Sequence, residues 1–226
     1  MVHDINAIKA EFEEWINILA PINFKGVLDN AGDYNYFSEF RRRLWDTDMS
    51  EFDCAFHYGC SRAVLVPNCG DYVFKFQYDD GDTIDYCKQE CVVYGMAKER
   101  GVEEYFAWTE CLGRYGKALV YVMEKVEVNE SRNSDESYRY HAEKWKDEHP
   151  DEDFDECDID YDDTDGMIEF AISHNGGYME SAIDLICELG INDLHSGNWG
   201  FRGDVLVLTD YGGYGHKIGS LCGEEE

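Results

Sequence analysis

Three polar residues near the carboxyl end of the chain have the types and spacing needed for phosphoryl transfer. Asp193 is followed five positions later by Asn198, and Asp210 follows the hydrophobic run 205–208 and precedes Tyr-Gly. One carboxylate of such a set can accept or orient an attacking hydroxyl. The amide oxygen and the second carboxylate are hard oxygen ligands of the kind that Mg²⁺ prefers. The pattern therefore predicts a phosphoryl-transfer site built from these residues.

The segment between these residues must fold back on itself to bring them together. Two short strands are predicted at 199–202 and 205–209, joined by a turn at Gly203-Asp204. The loop that carries Asp193 and Asn198 occupies 190–199, directly before the first strand. A hairpin at this place puts Asp210, which follows the second strand, at the same end as the loop that precedes the first strand.

A site for nucleotide phosphates is predicted in the middle of the chain. Lys75 lies within Val73-Phe74-Lys75-Phe76, where alternation indicates a strand over 71–77. Its ammonium group is placed to reach phosphates. Glu90, on a helix predicted over 83–100, is a candidate ion-pair partner for this lysine.

Two further segments are candidates for contacts with a nucleotide. Gly59 and Ser61 lie in the turn between the first two predicted strands, where backbone N–H groups can cover phosphates. The segment 121–128 follows the fifth predicted strand. There Glu124 and Val126 are the residues expected to hydrogen-bond an adenine.

The elements that must position these residues form a mixed α and β pattern. Apolar residues at helical spacing predict helices at 4–20 and 33–45, and after the middle of the chain at 83–100, 166–174 and 178–189. Asp4 is the expected N-cap of the first helix and Pro21 its stop. Short runs of β-branched and aromatic residues predict strands at 52–58, 62–67, 71–77, 104–112 and 117–125. The turn between the last two is expected at 113–116.

With these elements in order, the chain resembles the protein-kinase-like superfamily over about residues 52–213. Within it, the chain is most similar to the early serine/threonine kinases of T-odd (podovirus) coliphages. The resemblance rests on Asp193-x-His195-Ser196-Gly197-Asn198, on the Gly203-Asp204 hairpin, on Thr209-Asp210, and on the strands around Leu65, Pro67, Asn68, Val73 and Lys75.

The resemblance implies a compact two-lobed α+β fold that uses ATP with Mg²⁺, or Mn²⁺ in its place. Its expected parts are an N-terminal helical extension (1–51), an N-lobe with a five-stranded antiparallel sheet and one helix (52–125), and a truncated, mostly helical C-lobe (126–226). The C-lobe would carry an acidic insert at 147–165 and the catalytic and metal loops at 190–212.

The resemblance also assigns roles by position. It implies Lys75 on the α- and β-phosphates, Glu90 holding Lys75, and Asp193 as the base. Asn198 and Asp210 would bind the metal. His195 is implied to be a loop-packing residue and not a catalytic base.

The chain departs from the usual protein-kinase pattern in two ways. Ile191-Asn192 stands where protein kinases usually place a histidine before the catalytic Arg-Asp, which removes one support of the loop. The 14 residues after Gly212 leave no room for a full activation loop and the late helices. We therefore expect a protein substrate to dock on the N-terminal helices or on the acidic insert.

The charge of the chain restricts its partners. It has 19 Lys and Arg against 49 Asp and Glu, a formal net charge of −30. This charge disfavours direct binding to nucleic acid and to anionic membranes, because both require cationic contacts. A basic or nucleic-acid-binding host protein is the expected substrate or target, and the sequence does not determine the oligomeric state.

The amino-terminal residues and the cysteines bear on the compartment. No apolar run is long enough to span a bilayer, and the first twenty residues lack the pattern of a signal peptide. The nine cysteines have no paired spacing and are expected to be reduced thiols. Cys54, His57, Cys60 and Cys69 have a spacing that argues against a zinc site. The expected compartment is the cytoplasm, that of a bacterial host for a phage-encoded protein.

Three functions stay open at this point. The first is an ATP- and Mg²⁺-dependent serine/threonine protein kinase that modifies host proteins, or itself, and redirects host transcription or defence. The second is an acidic, pseudokinase-like or polyanion-mimicking protein that binds and inhibits a host nucleic-acid-binding protein. The third is a small-molecule kinase.

Overall fold

The computed structural model describes residues 3–58, 62–77, 85–151, 161 and 163–212. The chain forms two compact units. The first comprises Met1–Lys88 and Thr109–Lys125, and the second comprises Gln89–Trp108 and Val126–Glu226. Within the described residues, no helix has the length and apolar character required to cross a membrane.

The first unit begins with three helices, α1 (Ile5–Ile18), α2 (Phe24–Asp29) and α3 (Tyr34–Trp45). The Asp4 carboxylate caps α1 by accepting hydrogen bonds from the backbone N–H groups of Asn6 and Ala7, as predicted. Helix α1 ends two residues earlier than expected. Pro21 lies in the 3-10 turn Ala20–Ile22 that follows, and the short helix α2 was not predicted.

The same unit contains a five-stranded antiparallel sheet. Its strands are β1 (Cys54–Tyr58), β2 (Arg62–Pro67), β3 (Tyr72–Gln77), β4 (Thr109–Tyr115) and β5 (Ala118–Glu124), in the spatial order β1-β2-β3-β5-β4. The predicted meander of three strands, followed by one helix and two further strands, is confirmed.

The boundaries of β4 differ from the prediction of 104–112. Glu103–Tyr105 forms a 3-10 turn, and β4 continues to Tyr115 through an irregularity between Cys111 and Gly113. Gly116, which has a φ of 61°, makes the tight turn into β5. A Cβ atom at Gly116 would lie 2.6 Å from the Cα atom of Asp29, so the turn approaches α2 too closely for any larger residue.

One face of the sheet packs against the N-terminal helices. The ring of Phe74 on β3 lies 5.0 Å from that of Phe12, and the ring of Phe76 lies 5.6 Å from that of Phe24. Successive side chains of a strand point to opposite faces. Lys75, between the two phenylalanines, therefore points to the other face.

The second unit is mostly helical. It contains most of α4 (Tyr86–Arg100), then α5 (Glu130–Glu148), α6 (Thr164–Asn175), α7 (Met179–Leu189) and a hairpin of β6 (Trp199–Arg202) and β7 (Val205–Leu208). The predicted helices at 166–174 and 178–189 and both predicted strands are confirmed to within two residues.

Helix α5 was missed because its buried side is polar. The side chains that it buries are those of Asn133, Ser137 and His141, spaced four residues apart on one face. The Ser137 hydroxyl donates to the carbonyl oxygen of Tyr161, and His141 Nε2 lies 3.1 Å from the carbonyl oxygen of Gly166. A search for an apolar stripe cannot find such a helix.

Both ends of the acidic insert predicted at 147–165 belong to helices or their caps. Asp147 and Glu148 belong to α5. Asp163 is the N-cap of α6, which begins at Thr164. Residues 152–160 and 162 lie outside the described residues.

Candidate active site

The β6–β7 hairpin brings Asn198 and Asp210 to the same end of the second unit. Trp199 pairs with Leu208 in the ladder. One step further, Thr209 donates from its backbone N–H and from its Oγ1 to the carbonyl oxygen of Asn198, at 2.9 and 3.1 Å. Asp210 therefore follows directly after the residue that lies opposite Asn198.

The side chain of Asn198 joins this hairpin to the loop before it. Asn198 is buried, and its Nδ2 donates to the carbonyl oxygen of Asp193 at 2.7 Å. Because the NH₂ end of the amide is used on the backbone, the carbonyl Oδ1 is the end suited to a cation. The side chain of Asp193 is 46% exposed.

The ring of His195 lies against the backbone of its own loop, since a Cβ atom at Gly197 would lie 2.9 Å from His195 Cε1. Its side chain is 49% exposed, and its Nε2 lies 3.7 Å from Asp193 Oδ1. The backbone N–H of Gly197 donates to His195 Nδ1 at 3.1 Å, which places the hydrogen of the neutral ring on Nε2. The hydrogen-bond geometry therefore gives His195 a capping role over the turn 196–198.

Two residues outside the loop hold its backbone, and sequence reasoning missed both. Thr164, the first residue of α6, donates to the carbonyl oxygen of Asn192 at 2.7 Å and accepts from Leu194 N at 3.2 Å. Asn133 of α5 donates to the carbonyl oxygens of Ser196 and Trp199 at 2.8 and 2.9 Å. A polar residue that bonds to the backbone leaves no pattern at its partner's position, so no sequence signal could have identified these contacts.

The indole of Trp199 fixes the loop from within. Its Nε1 donates to the carbonyl oxygen of Leu194 at 2.8 Å, and the ring is fully buried. An aromatic residue directly after Asn198 was a signal that the sequence offered and that the prediction did not use.

The residues after β7 are fixed by a second aromatic side chain. Tyr211 is buried, its hydroxyl donates to the carbonyl oxygen of Ala107, and its ring packs edge-on against Phe106 at 5.2 Å. The N–H of Ala107 also donates to the carbonyl oxygen of Leu208 at 2.7 Å. These contacts fix the backbone on both sides of Asp210.

Lys75 and Glu90 lie in different units. Lys75 is on β3 in the first unit with 6% of its surface exposed, and Glu90 is on α4 in the second unit with none. Lysine and glutamate are rarely buried unless they are paired. Their ion pair with each other stays a prediction.

On the face of the sheet that carries Lys75, its neighbour on β5 is Tyr121. The Tyr121 hydroxyl donates to Asp85 Oδ2 at 2.7 Å. Burial, and then this hydrogen bond, raise the pKa of the Tyr121 phenol well above its ordinary value. The phenol therefore stays a neutral donor at physiological pH.

Of the other four residues predicted to contact a nucleotide, the structure describes two. Gly59 and Ser61 lie outside the described residues. Glu124 ends β5, and the next residue, Lys125, is fixed in the first unit by Nζ donating to the carbonyl oxygen of Asn68 at 3.0 Å. Val126 belongs to the second unit, where its Cγ2 would lie 2.6 Å from a Cβ atom at Gly200. Their contact with an adenine stays a prediction.

No family model, curated protein or solved structure matches this chain. Within the described part of the chain, no group of three or more His, Cys, Asp and Glu side chains could hold a metal ion. The predicted ligand pair contains only one such residue, because the other is an asparagine. Two oxygen ligands from the protein are what Mg²⁺ takes when nucleotide phosphates and water complete its shell.

Proposed function

We propose that this protein is an ATP- and Mg²⁺-dependent serine/threonine protein kinase. The observation that carries the proposal is the hydrogen bond from Asn198 Nδ2 to the carbonyl oxygen of Asp193, in a loop that the β6–β7 hairpin joins to Asp210. The loop and the hairpin together carry a carboxylate (Asp193), an amide (Asn198) and a second carboxylate (Asp210), the set that phosphoryl transfer requires.

Each residue has a distinct role in the proposal. Asp193 accepts or orients the hydroxyl of the substrate, while Asn198 and Asp210 hold Mg²⁺ through their side-chain oxygens. Mg²⁺, when bound, neutralises charge on the phosphates of ATP. Lys75, held by Glu90, binds the α- and β-phosphates.

The proposed substrate is a basic or nucleic-acid-binding protein of a bacterial host, or the chain itself. A net charge of −30 attracts a cationic partner and speeds its encounter. The phage origin and the effect on host transcription or defence follow from the resemblance of the 193–198 and 203–210 motifs to those of phage kinases. The cytoplasmic compartment follows from the cysteines and the amino-terminal residues, and all three belong to the proposal.

Transfer of labelled γ-phosphate from ATP, to the chain itself and to a bacterial lysate, tests the proposal. We expect Asp193→Ala and Asp210→Ala each to lower transfer by a factor of about a hundred or more, because each removes a group that acts on the reacting phosphate or hydroxyl. Asp204→Ala is the matched control, since it removes an exposed carboxylate from the turn of the same hairpin. Absence of transfer in the intact protein with either Mg²⁺ or Mn²⁺ would contradict the proposal.

A second function is favoured by the net charge alone. An acidic protein can occupy the nucleic-acid-binding groove of a host protein without catalysis, as a mimic of a polyanion. Inhibition of the host protein that survives Asp193→Ala, but is lost when acidic residues in 147–165 are neutralised, would favour this function. Transfer to a metabolite and not to any protein would favour a small-molecule kinase.

A further inference from the structure

The hydroxyl of Thr164 bonds to the backbone on both sides of Asp193. It donates to the carbonyl oxygen of Asn192 at 2.7 Å and accepts from the N–H of Leu194 at 3.2 Å. The donor of this hydroxyl and one of its two acceptor sites are therefore used on the two neighbours of a single residue. The peptide planes on either side of Asp193 are fixed by this contact.

Asn133 makes the corresponding contact around Asn198. It is fully buried, and its Nδ2 donates both to Ser196 O, at 2.8 Å, and to Trp199 O, at 2.9 Å. Both N–H groups of the amide are therefore used on the residues that flank Asn198. A buried carbonyl group that loses its donor destabilises the fold, so the structure favours keeping both hydrogen bonds.

The two contacts divide the loop between them. The Thr164 hydroxyl bonds to the backbone of residues 192 and 194, and the Asn133 amide bonds to the backbone of residues 196 and 199. The only residue between them, His195, is held by its own bond to Gly197 N. Both contacts come from segments that precede the loop in the chain and lie in the same compact unit as the loop.

We propose that Thr164 and Asn133 are positioning residues, Thr164 for Asp193 and Asn133 for Asn198. Neither touches the reacting groups. The catalytic part of this inference rests on the proposed kinase function, whereas the fixing of the loop does not. The Thr164 hydroxyl supplies a support of the loop where Ile191-Asn192 lacks the usual histidine.

The test compares Thr164→Val, which has nearly the same shape without a hydroxyl, with Thr164→Ser, which restores the hydroxyl. Thr47→Val is the matched control, because Thr47 Oγ1 donates to the carbonyl oxygen of Arg43 in the first unit, remote in sequence from the loop. Two quantities are measured for each variant: amide hydrogen exchange at Leu194, and kcat and KM for ATP in phosphate transfer.

We expect Thr164→Val to speed exchange at Leu194 and to lower kcat about tenfold or more while leaving KM for ATP within about twofold, because misplacing one reacting group affects the chemical step. Thr164→Ser should restore both quantities, and Thr47→Val should change neither. Asn133→Leu should instead raise the Mg²⁺ concentration needed for half-maximal transfer.

The two proposals fail in different ways. An unchanged kcat in Thr164→Val would overturn the positioning role while leaving the kinase proposal intact. If the intact chain transfers no phosphate, the kinase proposal fails. Amide exchange at Leu194 then tests by itself whether the Thr164 hydroxyl fixes the loop. Unchanged exchange in Thr164→Val would then show that the hydroxyl does not fix the loop.

Discussion

Asn198 shows how one residue can link a loop, a strand and a proposed metal site. Its side chain bonds to Asp193 O, and its own carbonyl oxygen accepts two hydrogen bonds from Thr209. The candidate set at 193, 198 and 210 could be proposed from the sequence alone, because its residue types and spacing are those that phosphoryl transfer requires. Asn133 and Thr164 could not, since contacts between side chain and backbone depend on a fold that the sequence pattern does not specify.

Gly200 is required at its position by close packing. A Cβ atom there would lie 2.6 Å from Val126 Cγ2 and 3.1 Å from the carbonyl oxygen of Glu127. Because the backbone of Glu127 pairs with Phe201 of β6, this segment cannot move away freely. We expect Gly200→Ala to lower the free energy of unfolding by about 1–3 kcal/mol, measured by urea denaturation.

Gly95 provides the matched comparison for Gly200. It is exposed on α4, and a Cβ atom there would meet no atom within 4 Å. Gly95→Ala should therefore raise the free energy of unfolding by about 0.5–1 kcal/mol through helix propensity. Equal effects of the two substitutions would contradict the close packing at Gly200.

At the scale of elements, the prediction succeeded where burial is apolar and failed where it is polar. Strand β2 alternates between buried and half-buried residues, and α7 buries an apolar stripe, so both were found. Helix α5 buries polar side chains and was not predicted. The start of β4 was misplaced because Phe106, Ala107 and Trp108 are buried in a segment that precedes the strand and carries no turn signal.

The N-cap of α6 couples the stability of a helix to the loop. The Asp163 carboxylate accepts from Gly166 N at 2.9 Å, and the next residue is Thr164. We expect Asp163→Ala to cost about 0.5–2 kcal/mol in unfolding free energy and also to lower phosphate transfer, because the first turn of α6 carries the Thr164 hydroxyl.

Asp4→Ala is the control for Asp163→Ala, since it removes the corresponding N-cap from α1 in the first unit. It should cost a similar amount of stability, as judged by urea denaturation, and leave phosphate transfer unchanged. A loss of transfer in proportion to stability in both variants would contradict a specific link between α6 and the loop.

At the scale of the whole molecule, the charge of −30 constrains how an anion such as ATP can bind. The protein repels it overall, so in the proposed function the attraction comes from Lys75, from backbone N–H groups and from a bound cation close to the phosphates. Described ion pairs such as Lys25–Asp29 and Arg100–Glu188 are exposed and stabilise the fold little. ATP binding should consequently require Mg²⁺ strictly.

The melting temperature with and without ATP and Mg²⁺ tests the proposed nucleotide and metal site most directly. A ligand that binds only the folded state stabilises it by about 2.7 kcal/mol at a hundred times its Kd. We predict that ATP with Mg²⁺ raises the melting temperature of the intact chain and of Asp193→Asn, which keeps the metal ligands, but not that of Asp210→Asn. ATP without Mg²⁺ should have little effect. An intact chain whose melting temperature does not respond to millimolar ATP and Mg²⁺, or an equal response in Asp210→Asn, would contradict the proposed site.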